Sequence, residues 1–277
     1  MRKNTLQKLY DKHQGKVSDK WSFYLGEYGR LFKGFRSKPI NLLEIGVQNG
    51  GSLDIWAKYF TKASSIVGCD INQDCAQLVY DDPRINVVVG DANDVRSYDE
   101  ITKFCPEFDI VIDDGSHFSS DIVKSFALYF PLIKDGGIFV AEDLHCSYWK
   151  ILEGGLFYPF SSISFFKRLA DIINHEHWGS EKTKADVLRG FFEKYDCEIN
   201  VDELARVYAV EFANSMCTVH KAPAGENGLG RRVVAGGAEL VVQGHDELRD
   251  EPYEFNPDLT QADNPWAVRE RPPDEII

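Results

Sequence analysis

Two stretches place acidic residues back to back where an apolar run stops. VIDDGSH (111–117) ends on Asp113 and Asp114, followed by Gly115, Ser116 and His117. IFVAEDLHCSYW (138–149) ends on Glu142 and Asp143, followed by His145, Tyr148 and Trp149. Carboxylates crowded into a half-buried place repel one another and resist losing water. A hard divalent cation such as Mg²⁺ would relieve this, because it takes oxygen ligands and leaves positions for water and substrate. The other arrangement is ordinary: each acid caps a helix N-terminus or sits on a solvated loop.

Either role requires elements that end near one another. INLLEIGV, SSIVGCDI, INVVVGDA, FDIVIDD and GGIFVAED read as short apolar strands. Between them SLDIWAKYF, CAQLVY, YDEITKF and DIVKSFALYFPLI read as helices. This alternation predicts an α/β fold with a parallel sheet covered on both faces, and right-handed crossovers restrict its topology. Upstream, DKWSFYLGEYGRLFKGF reads as helical and aromatic. Asp19, Lys20 and Trp21 there read as part of a lid, or Trp21 and Tyr24 as a hydrophobic anchor. Downstream, SSISFFKRLADIINHEHW and KADVLRGFFEKY read as helices, and RVYAVEFAN and MCTVHKA as an antiparallel pair at one edge. From Pro223 onward the chain is rich in Gly, Pro, Asp and Glu and reads as a tail, with one β-hairpin expected around RRVVAGGAELVVQG. The expected division is a helical lid or oligomerisation segment at 1–37, an α/β domain at 38–222 and a tail at 223–277.

The first strand runs into EIGVQNGGS, where Gly46, Gly50 and Gly51 let the backbone turn tightly and approach a ligand. The spacing is not the dinucleotide G-x-G-x-x-G, and alone it is a tight turn. Asp70 ends the second strand, where a carboxylate can accept from both ribose hydroxyls of a nucleotide. Asp91 ends the third, within reach of an adenine amino group. Each acid singly also reads as a helix N-cap.

LLEIGVQNGG, GCDI, GDA and FDIVIDDGSH together resemble the successive motifs of the class I S-adenosylmethionine-dependent methyltransferases. The longer pattern DKW…LLEIGVQNGGSLDIW…DDGSHF…GGIFVAEDLHCSYW is similar to one branch, the metal-dependent sugar O-methyltransferases of macrolide biosynthesis, over roughly residues 17–220. The resemblance implies a Rossmann-like sheet of seven strands, mostly parallel with an antiparallel edge strand. S-adenosylmethionine would lie over the carboxyl ends of the first strands, as open α/β sheets bind ligands. It also implies that the fourth and fifth strands are neighbours, ~4.8 Å apart, which brings the two acid doublets together and favours the metal reading. Matched position by position, Asp114, Glu142 and Asp143 are the implied metal ligands and His117 the general base. Glu44, Gly46, Gly50, Ser52, Asp70 and Asp91 are the implied cofactor residues, joined by Asp113 at the strand end nearer the cofactor. His145, Tyr148 and Trp149 would shape a sugar pocket, although Tyr148 and Trp149 read equally as packing residues.

The implied reaction is chemically coherent. A sugar hydroxyl is a poor nucleophile, a metal lowers the pKa of an oxygen bound to it, and a histidine accepts the proton near neutral pH. The acceptor would be a glycosylated natural product, a nucleotide sugar or a surface glycan. The rivals are a catechol-type methyltransferase, a relative of the branch named for cephalosporin hydroxylase, and a non-catalytic cofactor-binding subunit.

Bulk properties narrow the field. The 277 residues carry a formal net charge of −13, which argues against a broad nucleic-acid footprint. Cys69, Cys75, Cys105, Cys146, Cys197 and Cys217 form no Cys-x-x-Cys pair, so they read as small buried hydrophobes in a reducing cytoplasm. No apolar run approaches ~20 residues, so no membrane span is expected. His175 and His177 have i, i+2 spacing that faces opposite ways on a helix, against a second metal site. DNPW (263–266) resembles the N-P-P-Y signature of amino-methylating DNA enzymes, but its place in the tail marks it as coincidental.

Overall fold

The computed structural model describes residues 5–256 together with Gln261 and Asn264. Apart from Asn264, the DNPW stretch lies outside the described residues. Seven strands form one sheet in the order β3-β2-β1-β4-β5-β7-β6. They are β1 (Asn41–Ile45), β2 (Ser65–Asp70), β3 (Ile85–Val89), β4 (Phe108–Asp113), β5 (Ile133–Ala141), β6 (Val207–Ala213) and β7 (Met216–Lys221). β1 to β5 pair in parallel, and β7 runs antiparallel to both β5 and β6. The reversed strand is therefore second from the edge, with β6 outside it.

Alternation along each strand sends successive side chains to opposite faces. Leu43, Val111 and Phe139 enter a cluster with α4 (Val95–Phe104), α5 (Ser119–Tyr129), α6 (Ser162–Ile173) and α7 (Lys184–Tyr195). Leu42, Ile110, Ile112, Ile138 and Val140 enter the other, with α1 (Thr5–Lys12), α2 (Ser22–Leu31) and α3 (Gly51–Tyr59). Leu6, Tyr24, Tyr28 and Phe32 are fully or almost fully buried in this second cluster. The N-terminal helices are thus built into the core, where Tyr28, Phe32, Trp56 and Phe60 pack ring against ring.

The strap between α1 and α2 crosses the start of α3. The Gly51 amide donates to the Val17 carbonyl at 3.0 Å, and Lys16 pairs with Asp54 at 3.2 Å. A Cβ on Gly51 would stand 2.1 Å from the Lys16 carbonyl oxygen, so the crossing demands glycine there.

The hairpin expected at 231–244 does not form. That segment joins no strand ladder; its contact of this kind is an isolated antiparallel bridge between Arg231 and Pro252. Val233, Leu240 and Val241 are almost fully exposed. A hairpin gains stability by laying an apolar face on something, and β-propensity alone did not supply that surface.

Candidate active site

The carboxyl ends of β1, β2, β4 and β5 open into a cavity of about 400 Å³, within the usual range for a small-molecule site. Gly46, Ser52, Asp70, Asp91, Asp113, Asp114, His117 and Asp143 line it, together with the strap residues Val17 to Lys20. Glu44 and Gly50 do not. Glu44 is fully buried beneath the wall and accepts a 2.5 Å bond from the Ser52 hydroxyl. Gly50 caps α3 in a left-handed conformation.

At the ends of β2 and β3 the carboxylates are fixed by backbone amides. Asp70 Oδ2 accepts from the amides of Val47 and Gln48 at 2.8 and 2.7 Å, and Oδ1 from Asn72 at 2.8 Å. Asp91 accepts from the Asn93 amide at 2.9 Å. Gly46 adopts φ +92, and a Cβ there would lie 2.0 Å from the Asp114 carbonyl oxygen. Only glycine lets the first turn lie against the end of β4.

On the other side the two acid doublets split. The register pairs Asp113 with Ala141, and the Glu142 amide donates to the Asp113 carbonyl at 2.9 Å. Asp113 points toward α5 and accepts a short bond from the Ser125 hydroxyl. Burial pushes its carboxyl up to about 6, against the pull of Ser125 and the Gly115 amide. Asp114 and Glu142, each one residue further on, share the opposite side. Both accept from the Lys20 ammonium, Glu142 at 2.6 Å. Glu142 also accepts from the Tyr28 hydroxyl. Burial pulls the Lys20 pKa down, but Glu142, Asp114 and Glu44 outweigh it and hold it well above its ordinary value.

Asp143 breaks the alternation with φ 52. Its Oδ1 accepts from the Tyr24 hydroxyl at 2.7 Å and the Trp21 indole at 3.2 Å. Its Oδ2 lies 3.7 Å from His117 Nε2. Among the described residues, Asp114, His117 and Asp143 offer donor atoms within 4.8 Å of one another. Glu142, expected as a metal ligand, stands outside this group, its carboxylate engaged by Lys20 and Tyr28. His117, expected as a base, stands inside it. His117 (φ 61) and Asp143 are both left-handed, a conformation His and Asp tolerate but pay for; both face the cavity. Two carboxylates and an imidazole suit a hard-to-borderline divalent ion.

His145 Nδ1 lies 2.5 Å from the Ser215 hydroxyl and 3.8 Å from Asp143. With Tyr148 it lines a second cavity of about 310 Å³ beside the first. Trp149 lines neither but packs edge-on against His145, as does Trp21. The parts sequence reading missed are the roles of Lys20, Tyr24 and Tyr28. Their traces were the lid reading of Lys20, within the DKW of the longer resemblance, and the anchor reading of Tyr24; Tyr28 left none.

Residues 43–144 match the methyltransferase domain family. The chain is 36% identical over 173 residues to an 8-demethyl-8-alpha-L-rhamnosyl tetracenomycin-C 2'-O-methyltransferase of Streptomyces olivaceus, a match covering 59% of this chain and 45% of that protein. It is 35% identical to a mycinamicin VI 2''-O-methyltransferase of Micromonospora griseorubida, covering 59% and 42%. The solved MycE methyltransferase from the mycinamycin pathway, in complex with Mg, SAH and mycinamycin VI, superposes with a TM-score of 0.64 at 27% identity, covering 82% of this chain and 57% of that one. The chain resembles the sugar O-methyltransferases of glycosylated natural products. Its fold is the methyltransferase fold, with the seven-stranded, mostly parallel sheet expected. It spans under half the length of the curated relatives it matches.

Proposed function

We propose that this chain transfers a methyl group from S-adenosylmethionine to a sugar hydroxyl with the help of a divalent cation, Mg²⁺ in the first instance. The observation that carries this reading is the convergence of the Asp114 and Asp143 carboxylates, with the His117 imidazole beside them and left free as the base, on the wall of the cavity that Asp70 and Asp91 also line. The relatives' activities, 2'-O-methylation of a rhamnosyl tetracenomycin and 2''-O-methylation of mycinamicin VI, support a sugar acceptor.

Asp70 would take the ribose hydroxyls and Asp91 the adenine amino group, with the Gly46 turn against the cofactor. Asp113, buried and close by, sets the floor between cofactor and metal. Asp114 and Asp143 would hold the cation, with Glu142 able to join once Lys20 releases it. When bound, the cation supplies Lewis acidity that acidifies the acceptor hydroxyl. His117 takes the proton from that hydroxyl at an imidazole nitrogen. The remaining work of the chain is alignment of oxygen, methyl and sulfur. Trp21, His145, Tyr148 and Trp149 give aromatic surfaces beside Asp143 for a sugar ring.

Among the described residues, no helix is long and apolar enough to cross a membrane. All six cysteines are free, and five are buried. The free thiols suit a reducing cytoplasm; residues 38–222 would be the methyltransferase domain, completed on one face by the core-packed helices of the expected 1–37 lid or oligomerisation segment, and 223–277 the tail. The test is methyl transfer from labelled S-adenosylmethionine to a panel of rhamnosides, other glycosides, nucleotide sugars and catechols. Chelator-sensitive labelling of a glycoside is expected; labelling of catechols alone would overturn the sugar reading.

A further inference from the structure

The acid cluster holds a cation of its own. The Lys20 side chain is 2% exposed, and its ammonium bonds Asp114 and Glu142. These acids leave neighbouring strands side by side, so one ammonium bridges both doublets. The strap fixes it from each end, through Val17 on Gly51 and through Trp21 and Tyr24 on Asp143.

Asp114 belongs to two groups at once. It pairs with Lys20, and it is one of the three donors that converge with His117 and Asp143. A divalent ion there would share this carboxylate with an ammonium, and like charges on one acceptor oppose each other. Lys20 has somewhere else to go. Glu44 Oε1 stands 3.6 Å from Nζ, fully buried and with no well-formed hydrogen bond, although the Trp56 indole lies near the carboxylate. A buried carboxylate oxygen left in that state is costly, and a small shift of the ammonium would satisfy it.

We propose that Lys20 is a tethered counter-ion. It holds Asp114 and Glu142 together when no divalent ion is bound, and it yields Asp114 toward Glu44 when one arrives. It is a positioning residue, acting through Asp114 and Glu142, and it sets the metal affinity lower than the carboxylates alone would give. The inference rests on the metal-dependent reading above.

The test is Mn²⁺ binding to the full chain, followed by the electron paramagnetic resonance signal of free Mn²⁺, without cofactor or acceptor. Lys20→Met is expected to bind Mn²⁺ at least tenfold tighter than wild type. Lys20→Arg, which keeps the charge, is expected to stay within threefold. Lys20→Gln is measured alongside Lys20→Met, and cooperative thermal unfolding decides which neutral variant is folded and counted. A folded neutral variant that binds Mn²⁺ no tighter than wild type would make Lys20 a fixed structural pairing and overturn the proposal, while leaving the metal reading intact. Absence of Mn²⁺ binding in wild type and in the neutral variants alike would overturn the metal reading itself, and this proposal with it.

Discussion

Asp70 and Asp143 sit on the wall of one cavity, yet different parts of the chain hold them. Asp70 accepts three backbone amides from residues 47, 48 and 72. Asp143 is held by side chains from α2 and the residue that precedes it, Tyr24 and Trp21, across 119 and 122 residues. The same contrast runs through the neighbours. Asp91 is fixed by an amide two residues on, whereas Asp114 and Glu142 are fixed by an ammonium 94 and 122 residues away. The proposed cofactor half is held by backbone amides, whereas the proposed acceptor half is held by side chains of α2 and the strap before it. Damage to one half should therefore leave the other largely intact.

The largest break lies in the acceptor half. His117→Ala is expected to lower kcat by about 10²–10⁴, the usual contribution of a general base, while S-adenosylmethionine affinity measured by calorimetry stays within about twofold. Added imidazole should restore part of the rate. If the variant turns over within threefold of wild type, with methyl transfer rate-limiting, His117 is not the base, and His145 becomes the residue to test.

Asp70→Ala probes the cofactor half. It should weaken S-adenosylmethionine binding by about 1.5–3 kcal/mol, the range for hydrogen bonds to a charged group, with Mn²⁺ affinity unchanged. Unaltered cofactor affinity would remove Asp70 from the ribose site.

The smallest effect tests how α2 is held. Arg30 on α2 donates to Glu211 on β6 at 2.7 Å, and His220 lies 2.7 Å from the same carboxylate. Burial pushes the Glu211 carboxyl up, but Arg30 and His220 outweigh it and leave it below its ordinary value. A depressed folded pKa means the stabilisation is present above the unfolded carboxylate pKa and is lost as pH falls through the folded one. Because the pair is largely exposed, Glu211→Gln should cost less than about 1 kcal/mol at pH 7. That gap, read from chemical denaturation, should close in acid. A gap that widens as pH falls would reverse the assignment.

The same contrast explains what could be read from sequence. The sheet and the Gly46 turn were legible because apolar runs, glycines and terminal acids lie together in short stretches. The neighbourhood of the two doublets came from the resemblance, and the parallel pairing of β4 with β5 agrees with it. The splitting of each doublet followed alternation as far as Glu142 and then departed from it, because the left-handed turn at Asp143 leaves no periodic trace. Lys20 was legible only as a residue of a lid. Its partners lie on strands that the chain reaches about a hundred residues later, and no local pattern encodes that pairing. The hairpin expected near 231–244 failed for the converse reason: the local pattern was present and the surface to bury it was not.

If one cavity joins a cofactor half to a separable, metal-dependent acceptor half, the two come apart when S-adenosylmethionine binding by calorimetry and methyl transfer to a rhamnoside are measured on the same preparation, first in excess chelator and then after Mg²⁺ is restored. Cofactor affinity should stay within about twofold in both states, with turnover abolished by chelator and recovered with Mg²⁺. Full turnover in chelator, or loss of cofactor binding together with the metal, would contradict that division.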